Sequence, residues 1–395
     1  QKTSRHKVRF AAPDNFESLA REYSLDFSPL GVDTQKILGT GGIDPDQNIL
    51  LWFREVIRSL KPLTERITEN TWLACQGAEL IIHSLVGIWA YHVAEKLGVP
   101  CCFASPMPGI APTRAYPNPN GLFPSLPLGG GYNRLTHILS GHLFQLFTGP
   151  LINRYRKEKL HLPAIPLGEY PYFHIGGRPQ TLFCSYSPII SPRPPDWGDN
   201  IHLCGYWFLD PVPDWQPPAR LVSFLEAGPP PVYIGFGSMA NRTPQKTAQL
   251  VQEALELSGQ RGILAAGWGG LDNANLPDNT FALDSVPHAW LFPRMAAVVH
   301  HGGAGTTGAG FRAGVPSILV PHLGDQPFWA KRVTELGVGP QPIPRKKLTA
   351  EQLAAAITIA TTDQNMRARA ATLGKRIRAE DGVARAIEII EGFSQ

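Results

Sequence analysis

The sequence predicts an α/β protein of two doubly wound parallel-sheet domains facing each other across a cleft, and three observations carry that expectation. Short apolar runs alternate with amphipathic helical stretches along the chain, the order that βα units require. A length of 395 residues exceeds what one ordinary core encloses. Four prolines in the twelve residues LDPVPDWQPPAR, 209–220, make a stiff exposed connector between the halves.

In the first half, 1–208, residues 7–11 read as a strand, 15–23 as a helix and 48–71 as a long helical stretch. A strand at 79–83, a helix at 88–97 and a strand at 100–104 follow. Residues 106–131 become rich in proline and glycine with scattered aromatics, a loop suited to lining a lipophilic pocket. Helical periodicity returns over 135–159, and 180–185 and 202–205 are further strands. The apolar run at 80–94 is interrupted by His83 and His92 and is too short to span a bilayer, so membrane contact is expected to be peripheral. The second α/β domain, 221–362, starts its strands near 231, and helices at 363–375 and 381–390 close the chain.

A net charge of +4 without any long basic run favours an anionic substrate or an acidic membrane surface and argues against nucleic acid. The five cysteines are odd in number and lack CxxC spacing, which points to reduced thiols, a cytoplasmic location and no structural zinc.

Chemistry concentrates at 297–326. The run AVVH, 297–300, suits a buried parallel strand, Gly302 and Gly303 mark a turn, and Gly305, Thr306 and Thr307 open a helix that ends near Gly314 and Pro316. Unpaired N–H groups at that helix start fit a diphosphate. Hydroxyls of Thr306 and Thr307 add donors, and His301 either donates to a phosphate oxygen or carries a charge beside it. A glycine-rich turn that serves only packing is the alternative. PSILVP, 316–321, is the next strand, and the turn beyond it carries Asp325 and Gln326, a pair able to hold sugar hydroxyls, or else a helix cap and a solvent-facing amide. Two such turns side by side at the carboxyl edge of a parallel sheet suggest a nucleotide sugar.

From Ala104 onward the chain resembles the sterol 3-β-glucosyltransferases that use UDP-glucose, within the inverting glycosyltransferases of family 1. The strings that carry the resemblance are MPGIAPTRAYP at Met107, GYNRLTH at Gly131, CGYWFLD at Cys204, VYIGFGS at Val232, VPHAWLFP at Val286, HHGGAGTTGA at His300 and GDQPFWAKRV at Gly324. The resemblance implies a GT-B architecture of two Rossmann-like domains, with the helices at 363–395 crossing back onto the first. It assigns His301, Gly303 and the amides of Gly305, Thr306 and Thr307 to the diphosphate, and Asp325 and Gln326 to glucose. Gly237 and Ser238 face the phosphates from the other side, and Val286 presents backbone groups to uracil. Ser285 stands where plant members stack a tryptophan on uracil, so that role passes to Trp268. Met107, Pro108 and Tyr116 lie in the loop expected to meet the acceptor.

Such an enzyme takes a proton from the acceptor and stabilises charge on the departing UDP. The helix at Gly305 and His301 serve the second need without a metal or other cofactor. Asp44-Pro45-Asp46 matches the DxD of metal-dependent transferases but lies far in sequence from the phosphate turn and reads as solvated surface. The resemblance places the general base on a glycine-rich loop upstream of Gln1, with 1–6 as the end of the helix that follows. Within the chain His83, at a strand end, is the candidate base, its alternative being a packed pocket wall. A same-fold transferase for a polyketide, flavonoid or glycolipid, and a UDP-sugar-binding protein lacking the base, are the other readings.

Overall fold

A computed structural model describes residues 6–34, 49–120, 122–166, 168, 174–175, 178–236, 244–265, 276–283 and 285–392. Packing divides the chain into two compact units, one of Gln1–Asn118, Leu122–Cys184 and Pro194–His202, the other of Pro119–Gly121, Ser185–Arg193 and Leu203–Gln395.

In the first unit β1 (Arg9–Ala12), α1 (Glu17–Glu22) and β2 (Asp26–Pro29) form a small βαβ piece whose two strands pair in parallel, with no further strand beside them among the described residues. β2 was not expected, because Asp26 and Pro29 depress strand propensity in so short a run. The long helical stretch divides at Pro62 into α2 (Ile49–Leu60) and α3 (Thr64–Ala74). β3 (Ile81–His83), α4 (Trp89–Leu97), β4 (Cys101–Ser105) and α5 (Gly129–Tyr155) follow. After a short hairpin of β5 (His174–Ile175) and β6 (Arg178–Pro179) come β7 (Thr181–Cys184) and β8 (Ile201–Leu203). The sheet runs β3-β4-β7-β8, with β3, β4 and β7 parallel.

A buried ion pair ties α4 to the end of α5. Arg156 binds Glu95 with two bonds (2.5 and 3.0 Å), donates to Pro163 O (2.8 Å) and donates to Nδ1 of His92 (3.0 Å). Its side chain is 4% exposed. Glu95→Ala would leave that guanidinium buried without its carboxylate. We expect a loss of about 3–5 kcal/mol in urea unfolding. Lys331→Ala, at an exposed pair 3.6 Å long, should change stability by no more than about 1 kcal/mol.

Among the described residues the second unit is built on five parallel strands. After α6 (Ala219–Glu226) the chain lays down β9 (Val232–Gly235), α7 (Pro244–Ser258), β10 (Gly262–Ala265), β11 (Thr280–Leu283) and α8 (His288–Leu291). It returns through β12 (Ala297–His300), α9 (Ala304–Ala313), β13 (Ser317–Leu319) and α10 (Gln326–Glu335). α11 (Ala350–Thr362), α12 (Gln364–Arg378) and α13 (Gly382–Glu391) complete it. Alternate strand residues feed opposite faces: Val232, Ile234 and Val299 join Leu255 and Leu353, whereas Tyr233 and Val298 join Leu291 and Phe292. All of β9 and β12 is buried, which is why apolar residues fill both strands up to Gly235 and His300 at their ends.

The division falls earlier than the proline-rich connector. Residues 185–193 and 203–208, expected in the first domain, belong to the second unit. The CGYWFLD segment explains this: buried Tyr206 lies against Gly308 of α9, Asp210 pairs with Arg312 at 2.5 Å, and the Trp207 indole donates to Gly382 O at 3.1 Å. The closing helices pack here as well, α12 by Arg378 donating to Arg312 O, and the loop after it by Glu380 accepting from Ser187 at 2.6 Å. They thus return to residues ahead of the connector, but those residues are part of the second unit.

Among the described residues no helix is long and apolar enough to cross a membrane, and no cluster of His, Cys, Asp and Glu could hold a metal ion. Asp44 and Asp46 lie outside those residues. All five cysteines are buried.

Candidate functional site

Counted in chain order, the five strands of the second unit run 3-2-1-4-5, so successive connections leave β9 and β12 in opposite directions. A crevice opens at such a reversal, above the strand carboxyl ends. The turn after β12 meets that edge. His300 is wholly buried, and its Nδ1 accepts the N–H of Gly302 at 3.0 Å. Gly302 has φ +93°, and a Cβ there would meet Leu319 Cδ2 at 3.1 Å and Gln326 O at 3.3 Å. A side chain at that position is strained by conformation and crowded by its neighbours.

Gly303 is the N-cap of α9 and offers no capping side chain. The first bond inside the helix runs from Thr307 N–H to Gly303 O, 2.9 Å. The amides of Ala304, Gly305 and Thr306 therefore precede the helical ladder, and their dipoles add to that of α9. Gly305 is exposed, with open space where a Cβ would be. Thr307 departs from expectation: its side chain is buried and its hydroxyl donates to Gly303 O at 2.9 Å, so both its donors lock the helix start. Thr306 is half-buried. His301 is also half-buried, with Nε2 2.5 Å from where a Gly303 Cβ would stand and a buried Nδ1 lacking any partner. Burial lowers its pKa, so the ring is a neutral donor at pH 7 rather than a cation.

β13 pairs in parallel with β12, and the turn beyond it leaves the same edge. Asp325 occupies the N-cap of α10 but makes no capping bond. Its Oδ2 accepts the Trp329 indole N–H at 2.6 Å. Trp329 is fully buried, edge-on to Tyr186 at 5.9 Å, and Arg332 donates to Ile190 O at 2.8 Å, so the 185–193 segment buttresses α10. Burial raises the Asp325 pKa, opposed by the indole bond. Gln326 is buried rather than solvent-facing, and its Oε1 accepts the amides of His322 (2.7 Å) and Leu323 (3.3 Å). His322, absent from the sequence reading, belongs to this turn. Both its ring nitrogens are buried without a partner. Its pKa is pushed down to about 4, chiefly by burial and then by Arg345 and His301. The one available signal was a titratable residue directly after a buried strand, on the edge already singled out.

Val286 is buried with Leu283, Leu291 and Phe292, and Ser285 beside it is exposed. Gly237, Ser238 and Trp268 lie outside the described residues. The structure thus brings His301, Gly303, Gly305, Thr306, Asp325 and Gln326 together on two touching turns.

In the first unit His83 takes the packing alternative. It is 4% exposed, its Nδ1 lies 3.1 Å from Ser84 O, its Nε2 lies 3.1 Å from Gln180 Nε2, and its ring packs on Phe103. Burial pushes its pKa down to about 4. With Nδ1–H donating to Ser84 O and Nε2 accepting from Gln180, no lone pair remains for a substrate proton. Met107 and Pro108 follow β4, where Ser105 Oγ and the Met107 main chain exchange bonds of 3.1 Å. Tyr116 is half-buried, and its carbonyl accepts from His137 Nε2 at 3.0 Å. Asp196 clamps the same loop through the Thr113 hydroxyl (2.6 Å) and the Arg114 amide (2.7 Å). That clamp explains how so proline-rich a segment is held in one conformation.

Residues 264–390 match the family model for the C-terminal domain of erythromycin biosynthesis protein CIII-like proteins. Two sterol 3-beta-glucosyltransferases of Arabidopsis thaliana are 37% and 36% identical over 97% of this chain. One from Cryptococcus neoformans is 34% identical over 98% of it. The chain spans 60% and 63% of the two plant proteins and 25% of the fungal one. Among solved structures, the glycotransferase of kitacinnamycin and the calicheamicin glycosyltransferase CalG4 each superpose with a TM-score of 0.67 at 18% identity, covering 98% of this chain and 91% of theirs. The glycosyltransferase VinC, solved in complex with dTDP, gives 0.61 at 19% identity, covering 99% and 93%. These neighbours are GT-B glycosyltransferases, and the α/β fold of this chain is theirs.

Proposed function

We propose that this chain, which is homologous along nearly its whole length to sterol 3-beta-glucosyltransferases and has the GT-B fold, transfers glucose from UDP-glucose, with inversion, to the hydroxyl of a sterol or similar lipophilic alcohol. One observation carries the chemical part: the open amides at 304–306 and the partnerless Nδ1 of His301 share a sheet edge with Asp325 and Gln326. Oriented amides suit the charge that grows on a departing diphosphate, and they act without reorganising and without a metal. Asp325 keeps one carboxylate oxygen, and Gln326 its amide nitrogen, for sugar hydroxyls. A sterol acceptor arrives from a membrane surface, so the reading includes transient peripheral contact at the cytoplasmic face.

The reading is tested by calorimetry with UDP and by transfer of labelled glucose. Binding of UDP and transfer to cholesterol or ergosterol from UDP-glucose in preference to dTDP-glucose support it. Transfer to a flavonoid or polyketide with none to sterols would replace the acceptor, and the lack of any UDP binding would remove the reading altogether. His83 has no chemical role in it. His83→Gln is expected to leave single-turnover transfer within about threefold of wild type while the thermal midpoint falls, because only packing and the two buried bonds of the ring change.

A further inference from the structure

The turn after β13 has more hydrogen-bonding capacity than Asp325 and Gln326 supply. Gln326 spends its oxygen on two amides, and Asp325 gives one oxygen to the Trp329 indole. The ring of His322 is spent on nothing. Both of its nitrogens are buried without a partner, whereas the buried rings of His83 and His137 have both nitrogens engaged. An unpaired buried donor and acceptor are destabilising, so a ring kept in that state is matched to a group that arrives.

Two further observations say what that group is. The His322 amide is pinned to Gln326 at 2.7 Å, which fixes the point from which the ring projects. The phosphate turn meets this one, since a Cβ on Gly302 would lie 3.3 Å from Gln326 O, and its His301 opposes charge on His322. Burial, Arg345 and His301 together hold the ring neutral, with one N–H and one lone pair. A phosphate oxygen needs donors alone, but a sugar hydroxyl both donates and accepts. The neutral ring fits the hydroxyl.

We propose that His322 hydrogen-bonds a hydroxyl of the transferred hexose and so selects a fully hydroxylated sugar over one of its deoxy analogues. The inference rests on the nucleotide-sugar reading of this site. Its test compares transfer from UDP-glucose and from its 2-, 3-, 4- and 6-deoxy forms in wild type, His322→Phe, which keeps ring volume without nitrogen, and His322→Gln, which keeps a donor and an acceptor. UDP affinity and thermal midpoint are measured alongside.

Wild type should prefer UDP-glucose to one deoxy form by on the order of 10- to 100-fold in kcat/KM. His322→Phe should lose that same factor with UDP-glucose and treat that deoxy form as equal. His322→Gln should recover part of it, with UDP affinity constant within about twofold throughout. Retained discrimination in folded His322→Phe overturns the proposal, as does a loss of UDP affinity in step with transfer, which would make the ring a support for the turn. If His322→Phe does not fold, His322→Ala is judged by the same outcomes. Failure of wild type to bind UDP is a different result, and it removes the nucleotide-sugar reading on which His322 depends.

Discussion

Gly302→Ala is expected to weaken UDP binding by on the order of 100-fold and to cost about 2–4 kcal/mol of stability. The backbone at φ +93° is one that L side chains rarely adopt. A methyl there also meets Leu319 and, at 3.3 Å, the carbonyl of Gln326, which is main chain and cannot swing aside. Relief requires the turn to rotate. Rotation pulls the Gly302 N–H off Nδ1 of His300, swings His301, and re-aims the amides of 304–306 that follow. Because the added methyl presses on Gln326, the sugar turn shifts with it. Gly305→Ala is the contrast: it is exposed, helical and faces open space, so it should gain up to about 1 kcal/mol from helix propensity. Calorimetry with UDP and urea unfolding on both variants decide the matter, and a folded Gly302→Ala with wild-type UDP affinity would dissociate this turn from the nucleotide.

The turn around Gly302 was legible in the sequence because every signal there is local. A four-residue apolar run, two glycines and a helix start lie within about a dozen positions, and neighbours in the chain are neighbours in space. What the sequence withheld was longer in range. That β12 lies beside β9, which makes the reversal of strand order, depends on pairing between Val232 and Ala297. The division by contacts departs from the proline-rich connector for a similar reason: prolines mark a stiff segment, but Tyr206 and Asp210 pack on α9 about a hundred residues later.

Side-chain roles were harder still. Thr306 and Thr307 are indistinguishable as letters, and only the helix phase turns one inward, where its hydroxyl is taken by Gly303 O. His83 ends the short strand β3, and His322 follows the buried strand β13. One finds Ser84 and Gln180 for its two nitrogens and the other finds nothing, a difference decided by residues 97 positions away in the first case. α5 begins at Gly129, ahead of the expected 135, because three successive glycines argue against a helix that its later turns nevertheless stabilise.

Asp325→Asn should separate stability from transfer. Burial desolvates the charged form of the wild-type carboxylate and has raised its pKa, with the Trp329 indole bond opposing the rise. The folded chain therefore binds that proton more tightly than the unfolded chain, and stability falls as pH rises from the ordinary aspartate range through the raised value. Asparagine carries no such penalty and can still accept the Trp329 indole bond, so the unfolding midpoint at pH 7 should hold or rise. Transfer should move the other way. A charged acceptor contributes about 1.5–3 kcal/mol to a hydrogen bond, so kcat/KM for UDP-glucose should drop by on the order of 10- to 100-fold while UDP affinity stays unchanged. The acid limb of kcat/KM should lie above the ordinary aspartate range in wild type and vanish in the asparagine variant. Trp329→Phe, which deletes the bond that holds the pKa down, should move that limb to higher pH. A variant that is more stable and equally active would mean that the Asp325 carboxylate touches no sugar, whereas gain in one quantity and loss in the other is what a buried charge kept for its substrate produces.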